Sequence, residues 1–443
     1  MKQLVFAIIS CCSLPFAVYS QNRLSLKECI EYGMKNHRSK TVYSNERLAA
    51  EAQAKEALAA YLPNISVNGS VDDNLKVQES VIPAGLFGPT DTKVAFTKKF
   101  NSTGTIQLDQ TVYDQSLITG LKANKVNKQQ AELNVVQNDE SLIYNISTAY
   151  YQIFVYREQV EFLKNNQQSY VEQLRITKLQ VEKGVTMEND LNKIQVNYNN
   201  NQSDIYAAET DLIVAENQLK NAMGYPLSNP LHIDTAEGQI ASALLGTDTT
   251  TFFAGNRVEY KLAEVNTRLL SIDEKRIQAG ALPVISVYGR YGGVGFGDKL
   301  GESLSTVSDF SAIGLKLSVP LFDGFKRGAQ RNQARYKRLN SLEALRLDAD
   351  KYRLEFENAR TKLVKAQRNV DNDRKNIDLA ISVFKSTDLQ YQKGVTDLTE
   401  WITAQNAVRE AQNNYLSSLY NYYLATVDLQ KANGTLTSFY NSL

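Results

Sequence analysis

The chain has 443 residues, and its 49 lysines and arginines nearly balance its 48 aspartates and glutamates. The resulting net charge of +1 gives no bulk attraction to nucleic acid, because nucleic-acid-binding domains carry a clear basic excess. The two histidines, His37 and His232, are too few and too far apart for a metal cluster, so each is expected to be structural or solvated.

The N-terminus has the pattern of a secretory signal peptide. An apolar run over residues 4–18 follows a lysine, and we expect residues 1–20 to be removed by cleavage after Ser20. The alternative is lipidation at Cys11, because the residues before it resemble a lipobox. Loss of the signal leaves Cys29, so no disulfide within the chain is expected, and Cys29 is predicted to be a small buried residue on an amphipathic helix.

Residues 24–224 are predicted to form the first of two structural repeats. A helix over 25–60 ends before Pro63, and alternating polar and apolar residues then indicate strands, with a loop over 72–99. Residues 121–183 contain neither Gly nor Pro, and neither do the 39 residues after Gly184, which indicates long helices. The strands are predicted at about 64–72 and 103–113. A long helix is predicted at about 116–182, and a return helix at about 187–222.

A connector is predicted over 225–255, and residues 256–434 repeat the same order of elements. A helix over 256–281 ends before Pro283, and a Gly-rich loop is expected over 292–310. The remaining elements are strands at about 284–291 and 311–321, a long helix at about 325–392 and a return helix at about 397–432. Residues 435–443 are predicted to be a short tail.

Apolar residues recur every seven positions along both long helices, which predicts coiled-coil packing over roughly 100 Å at 1.5 Å per residue. In the first helix the two rows are Ile146, Ile153, Val160, Gln167, Leu174 and Val181, and Leu142, Ala149, Tyr156, Leu163 and Tyr170. A shift of 210 positions gives the rows of the second helix, which are Phe356, Leu363, Val370, Ile377, Phe384 and Tyr391, and Tyr352, Ala359, Ala366, Asp373, Ala380 and Thr387.

Four strands for each chain pose a problem of closure. No segment after the signal approaches the length of a membrane-spanning helix, so a membrane form of this protein must use strands. Membrane strands close into barrels of about eight or more, which one chain cannot form. Two chains give about eight strands and a barrel too narrow for an open channel, whereas three give about twelve. The sequence therefore predicts an oligomeric barrel continued by a helical tube.

Three short motifs, together with the duplicated order of elements, carry a resemblance to a known family. These are Leu-x-Val-Pro-Leu-Phe-Asp-Gly at 317–324, Asn-Arg-Val-Glu at 256–259 and Tyr-Gln-Lys-Gly-Val-Thr at 391–396. Over about residues 24–434 the chain resembles the TolC family of outer-membrane efflux proteins.

The resemblance implies a mainly α fold with a small β part, assembled as a homotrimer. The trimer would have a twelve-stranded barrel in the outer membrane of a Gram-negative bacterium and a twelve-helix tunnel through the periplasm. It also implies a passive exit duct for tripartite efflux pumps or type I secretion. The expected partners are an inner-membrane transporter and a periplasmic adaptor that docks on the helical tips.

The resemblance also assigns residues to two sites. The predicted adaptor contacts at the tips are Gly184, Val185, Thr186, Gly394, Val395 and Thr396. Asp190, Tyr391 and Glu400 match positions at the periplasmic aperture of the family. Thr396 and Thr403 stand where the family can have Arg and Asp, which favours an acidic ring over a salt-bridged lock. Alternatively, Asp190 and Glu400 are ordinary solvated carboxylates near helix N-termini.

Other functions find little support in the residues. The chain has no phosphate-binding Gly-rich loop, no Ser nucleophile elbow and no Cys-x-x-Cys, so no enzyme and no cofactor are predicted. Tyr415, Tyr420, Tyr422 and Tyr423 are expected to pack between helices. One alternative is a periplasmic coiled-coil spacer without a pore. Another is the adaptor itself, which the duplication disfavours.

Overall fold

The computed structural model describes residues 23–85, 89–234 and 252–443. The predicted signal peptide and Cys11 lie outside these residues, as does most of the predicted connector. The chain divides into two compact units, and each combines segments from both sequence repeats. The strand unit comprises Thr41–Gln137 and Ala254–Tyr352, and the hairpin unit comprises the described parts of residues 1–40, 138–253 and 353–443.

The first repeat contains four helices and four strands among its described residues. In chain order these are α1 (Leu26–Asn36), α2 (Arg38–Ala59), β1 (Asn64–Asp73), β2 (Glu79–Ile82), β3 (Thr92–Ala95), β4 (Phe100–Asp114), α3 (Gln115–Glu182) and α4 (Glu188–Met223). The mainly α composition predicted from the sequence is confirmed. The predicted loop over 72–99 differs in that it carries the small β2–β3 hairpin.

The second repeat follows the same order, after a short 3₁₀ turn at Ala254–Asn256. Its elements are α5 (Val258–Ala279), β5 (Val284–Gly297), α6 (Leu300–Ser305), β6 (Val307–Ser318), α7 (Lys326–Gln392), α8 (Leu398–Asn433) and α9 (Leu436–Ser442). Among the described residues, none of the helices carries an apolar stretch long enough to cross a bilayer.

The single helix predicted over 25–60 is two helices with a break at His37. The backbone of His37 is extended, and its ring Nδ1 accepts a hydrogen bond from the backbone N–H of Ser39 (3.2 Å). Gly224 packs against this bend, since a Cβ there would lie 3.1 Å from the His37 Cα. The break thus combines a local hydrogen bond with a contact to the end of α4, and only the contact involves residues distant in the sequence.

The Gly-rich loop predicted over 292–310 is also wrong. Strand β5 continues to Gly297, and α6 follows it before β6 begins at Val307. Glycine has low strand propensity, so the run of glycines hid the strand. The predicted tail over 435–443 contains α9, whose Leu436 and Phe439 are buried in the main helical core.

The four long strands form one antiparallel sheet in the order β1-β4-β5-β6. Cross-strand rows on one face are apolar, such as the row that joins Ile65, Leu108, Gly289 and Ile313. Adjacent rows on the other face are more polar, such as the row in which Ser66, Gln107 and Arg290 end at Ala312. This alternation follows from the two-residue period of a strand and confirms the predicted two-faced strands.

Both heptad rows are buried or half-buried along α3 and α7, as the sequence predicts. The main core of the hairpin unit collects fully buried residues of α1, α3, α4 and α8, including Cys29, Ile146, Leu219 and Val427. The prediction for Cys29 is thereby confirmed, because its side chain is completely buried in this core.

Truncation of this core should be costly. We expect Ile146→Ala to lower the free energy of unfolding by about 2–5 kcal/mol, because Ile146 is fully buried and its loss leaves a cavity. Guanidinium unfolding followed by circular dichroism in detergent measures the change. Ile213→Ala on the exposed side of α4 is the matched control, and equal losses for the two variants would contradict the assignment of the core.

Candidate functional site

The two long helices end in turns with the same geometry. In the first turn the N–H of Gly184 donates to the carbonyl of Val181 (2.9 Å), and the N–H of Val185 donates to the carbonyl of Gln180 (2.8 Å). Gly184 has a φ of 72°, which an L-residue adopts only with strain. These are the two bonds of a Schellman motif, which explains why the helix stops here.

The second turn repeats this arrangement at Gly394. Its N–H donates to the carbonyl of Tyr391 (2.9 Å), the N–H of Val395 donates to that of Gln390 (2.9 Å), and its φ is also 72°. A Cβ at either glycine would meet nothing within 4 Å. The backbone geometry therefore strongly favours glycine, and the space around both turns is open.

The surfaces of the two turns differ at one position. Val185 and Val395 are each 73% exposed. In the first turn Met187, 76% exposed, precedes α4 without a side-chain cap. At the equivalent position Asp397 caps α8 by accepting a hydrogen bond from the N–H of Glu400 (2.9 Å). The first turn is thus more apolar, and the second carries a charge.

The two candidate aperture carboxylates have different surroundings. Asp190 accepts hydrogen bonds from Lys193 Nζ (3.0 Å) and from the Thr186 hydroxyl (2.9 Å). These partners lower the pKa of Asp190, so it stays ionised at neutral pH and is paired with a cation. Glu400 is exposed, and its carboxylate forms no ion pair with any residue that the structure describes.

Tyr391 lies in a buried cluster and not on an open surface. Its hydroxyl donates to Gln180 Oε1 (3.1 Å), which joins α7 to α3. Thr403, the other position that departs from the family pattern, donates its hydroxyl to the Thr399 carbonyl of its own helix (2.8 Å). The structure thus brings Tyr391 together with the first hairpin, but it does not bring it together with Asp190 or Glu400 in one hydrogen-bonded group.

The cluster around Tyr391 contains the single tryptophan of the chain, which sequence reasoning missed. Trp401 is 1% exposed, and its ring lies edge-on to Tyr170 (centroids 6.0 Å apart) and to Phe384 (5.4 Å). Its indole N–H donates to Asp388 (2.7 Å). The sequence signal was available, since a lone Trp one turn after a helix start is a natural packing residue. This cluster joins the two hairpins directly behind the turns.

A band of buried polar side chains joins the same hairpins further along. Asn166 Nδ2 donates to Gln412 (2.8 Å), and Gln405 Nε2 donates to Asn166 Oδ1 (3.2 Å). Beside them Arg409 pairs with Asp204 (2.8 Å). Buried amides in a coiled coil fix the register of neighbouring helices, because a shifted register leaves them unpaired.

The tyrosines of α8 pack among the helices, as predicted for Tyr422 and Tyr423, which are both buried. Tyr423 stacks on Tyr151 (centroids 4.5 Å apart), and burial raises the pKa of its hydroxyl. Burial and a hydrogen bond to Asp428 raise the pKa of Tyr144 to about 12. In the described part of the chain, no three His, Cys, Asp or Glu residues lie where they could hold a metal ion.

Comparisons with known proteins agree on one kind of protein. The model of the family described as "Outer membrane efflux protein" matches residues 44–225 and 277–435. The outer membrane protein TolC of Vibrio cholerae serotype O1 is 22% identical over 455 residues, which cover 99% of this chain and 96% of that protein.

Solved structures share the fold. A structure of CusC has a TM-score of 0.75 at 15% identity and covers 92% of this chain and 91% of its own. The outer membrane protein VceC from Vibrio cholerae has a TM-score of 0.72 at 15% identity, and the match covers 92% of this chain and 96% of the VceC chain.

Because Trp401 is the only tryptophan, its fluorescence reports on the cluster behind the turns. We expect Tyr170→Ala to shift the emission to longer wavelength and to cost about 3–5 kcal/mol, since it removes a buried ring that packs on Trp401. Tyr206→Ala, at an exposed site on α4, is the control and should leave the emission unchanged. An unshifted spectrum for Tyr170→Ala would contradict this packing.

Proposed function

Because this chain belongs to the outer membrane efflux protein family, we propose that three copies of it form a continuous duct and that a periplasmic adaptor docks on its helical turns. The chain is an outer-membrane protein of a Gram-negative bacterium and provides an exit route for efflux. It is a channel component and not an enzyme, and it works with other components of an efflux pump. A periplasmic spacer without a pore is not favoured.

The two-faced sheet is the main observation that supports the proposed duct. Its outer strands β1 and β6 each leave one edge without a partner in the sheet, and an open edge is not tolerated in lipid. Three copies joined edge to edge supply about twelve strands, enough to enclose an aqueous pore. The apolar rows then face lipid and the polar rows line the lumen, as in other membrane barrels.

The helices continue the duct on the periplasmic side. Each chain contributes α3 with 68 residues and α7 with 67, together with the return helices α4 and α8. At 1.5 Å per residue, the long helices reach roughly 100 Å. Three chains thus supply six long helices and six return helices, twelve in all, for the tunnel wall.

The turns are the proposed adaptor-docking sites, with the inner-membrane transporter acting through the adaptor. Each chain presents Gly-Val-Thr twice with the same backbone geometry and the same exposed valine. The adaptor contacts are Gly184, Val185, Thr186, Gly394, Val395 and Thr396. A partner that recognises this shape finds two similar sites on every chain, and the exposed Met187 makes the first site more apolar.

Asp190, Tyr391 and Glu400 form the proposed periplasmic aperture. The pairing of Asp190 with Lys193 supports an unequal ring, in which Glu400 supplies most of the uncompensated negative charge. Tyr391 is buried and does not face the opening. Its hydroxyl links α7 to α3 and so sets the position of the second hairpin.

Gly394→Arg tests the docking sites. We expect export to be abolished while trimers remain in the outer membrane, because the arginine projects from an open turn into the adaptor interface. Export of a pump substrate and heat-modifiable trimers on gels are the two measurements. Gly85→Arg, also at a positive φ and in open space but between β2 and β3, is the matched control and should export normally.

Normal export by Gly394→Arg would refute the docking assignment. If the unaltered protein proves to be a water-soluble monomer, the trimeric duct fails as well. Gly394→Asn provides a milder comparison, because asparagine tolerates the left-handed backbone, and it should retain most export.

The acidic aperture is tested by conductance. The double variant Asp190→Asn with Glu400→Gln should lower the cation-to-anion permeability ratio by about twofold or more, because it removes both carboxylates from the ring. Reversal potentials in planar bilayers under a salt gradient measure the ratio. Glu343→Gln on α7 is the control, and unchanged selectivity in the double variant would identify both carboxylates as ordinary solvated groups.

A further inference from the structure

Helix α6 lies flat against the sheet, on a seat made of glycines. Gly293, Gly295 and Gly297 occupy alternate positions at the end of β5, and a Cβ on any of them would collide with the chain from Lys299 to Ser308. At Gly297 such an atom would lie 2.6 Å from the Cβ of Glu302. Gly295 and Gly297 are therefore needed for the close approach of α6 to the strand, and Gly293 leaves room for Val307 at the start of β6.

The seat is on the apolar face of the sheet. The pairing of β5 with β6 is regular from Val284 to Gly295, so the odd-numbered residues of β5 share one face. That face carries Ile285, Val287 and Tyr291 before the glycines begin. Helix α6 packs on β5 and β4, the two central strands, and so lies away from the edges at which another copy would pair.

Helix α6 has a polar and an apolar side. Ser303 faces the sheet, where its hydroxyl shares a hydrogen bond with the hydroxyl of Ser102 (2.8 Å). Glu302 lies over Gly297, the last residue of β5, and its carboxylate accepts from the Asp298 N–H (3.0 Å). Leu300 and Leu304 are 46% and 56% exposed, and at about 100° per residue they fall on the side away from Glu302.

The level of α6 along the strands places it at a membrane boundary. The apolar rows centre between Val287 and Gly289, and Gly295 lies about 23 Å further along the strand. With strands tilted by about 40°, this is about 18 Å along the membrane normal, whereas half of the apolar band is about 12 Å. Asp309, which pairs with Gly293, also marks the end of the hydrocarbon-facing rows.

We propose that α6 is an interfacial membrane element whose Leu300 and Leu304 contact lipid in the head-group region of the outer leaflet, just beyond the apolar band. This inference rests on the proposed function, because it requires that the apolar face of the sheet contacts lipid. The occupant is lipid because α6 packs on the apolar face of the sheet and exposes its leucines there, and amphipathic helices bind in the interfacial zone of a membrane. Helix α6 thereby covers glycines, which have no side chains that could contact lipid.

Depth-dependent quenching tests the proposal. Single cysteines at Leu304→Cys, Glu302→Cys and Ile313→Cys, in a cysteine-free background, carry a nitrobenzoxadiazole label in liposomes of brominated phosphatidylcholine. Ile313, 89% exposed on the apolar face, is the control for lipid contact by the sheet. We expect the label at 304 to be quenched about twofold more than the label at 302, and more by bromines near the head group than by deep ones. The label at 313 should show the reverse preference for depth.

The outcomes separate the two claims. Quenching at 313 without quenching at 304 would overturn the interfacial role of α6 and leave the duct intact. Equal quenching at 302 and 304 would refute the sided arrangement. Protection of 304 from both lipid bromines and aqueous iodide would assign its leucines to a protein contact and would also overturn the proposal. Absence of quenching at all three sites would count against the membrane placement of the sheet itself.

Gly295→Val provides an independent check on the seat. The added side chain collides with Ser303, so α6 must move away from the strand. Quenching at 304 should then fall to the level at 302, while quenching at 313 stays unchanged. Undiminished quenching at 304 in this variant would contradict a role for the glycines in holding α6 at the membrane.

Discussion

The narrow stripe of buried side chains on α7 is the constraint on which the rest of the architecture depends. From Tyr352 to Tyr391, the two heptad rows are buried or half-buried, and most other positions are exposed. A helix of 67 residues that buries one stripe within its own chain cannot be part of a thick globular core. It fits a wall one helix thick, whose remaining sides meet water or further copies of the chain. Such sparse burial is what the proposed duct requires of its helices.

Duplication gave the chain two hairpins of one design, but they are not interchangeable. Both turns share the Schellman bonds and an exposed valine, whereas Met187 in one is Asp397 in the other. Only the second hairpin contributes the buried Trp401, whose ring packs against both hairpins. The two proposed docking sites therefore differ in polarity, since the first turn is more apolar and the second carries a charge. The cluster around Trp401 is a hydrophobic contact between the hairpins close to the turns, in addition to the main core.

The two faces of the sheet have separate tasks in the proposed duct. Polar rows suit a water-filled lumen, and apolar rows suit lipid. The glycine seat is an exception at one end of the sheet. There the strand has no side chains on its apolar face, and the packed helix α6 presents its leucines instead. The sheet thus meets the membrane with side chains over most of its height and with a second layer of structure at the rim.

The sequence by itself determined where helices and strands begin and end in most of the chain, and the family to which the chain belongs. One reason is that Gly184 and Gly394 end their helices through local backbone hydrogen bonds, which need no distant partner. Tertiary structure decided the features that depend on distant partners. Gly224 packs on the bend at His37, and Gly295 and Gly297 lie at the end of a strand against which α6 packs. Trp401 and Tyr391 join two hairpins that are far apart in the sequence, and only the folded chain brings such residues into contact.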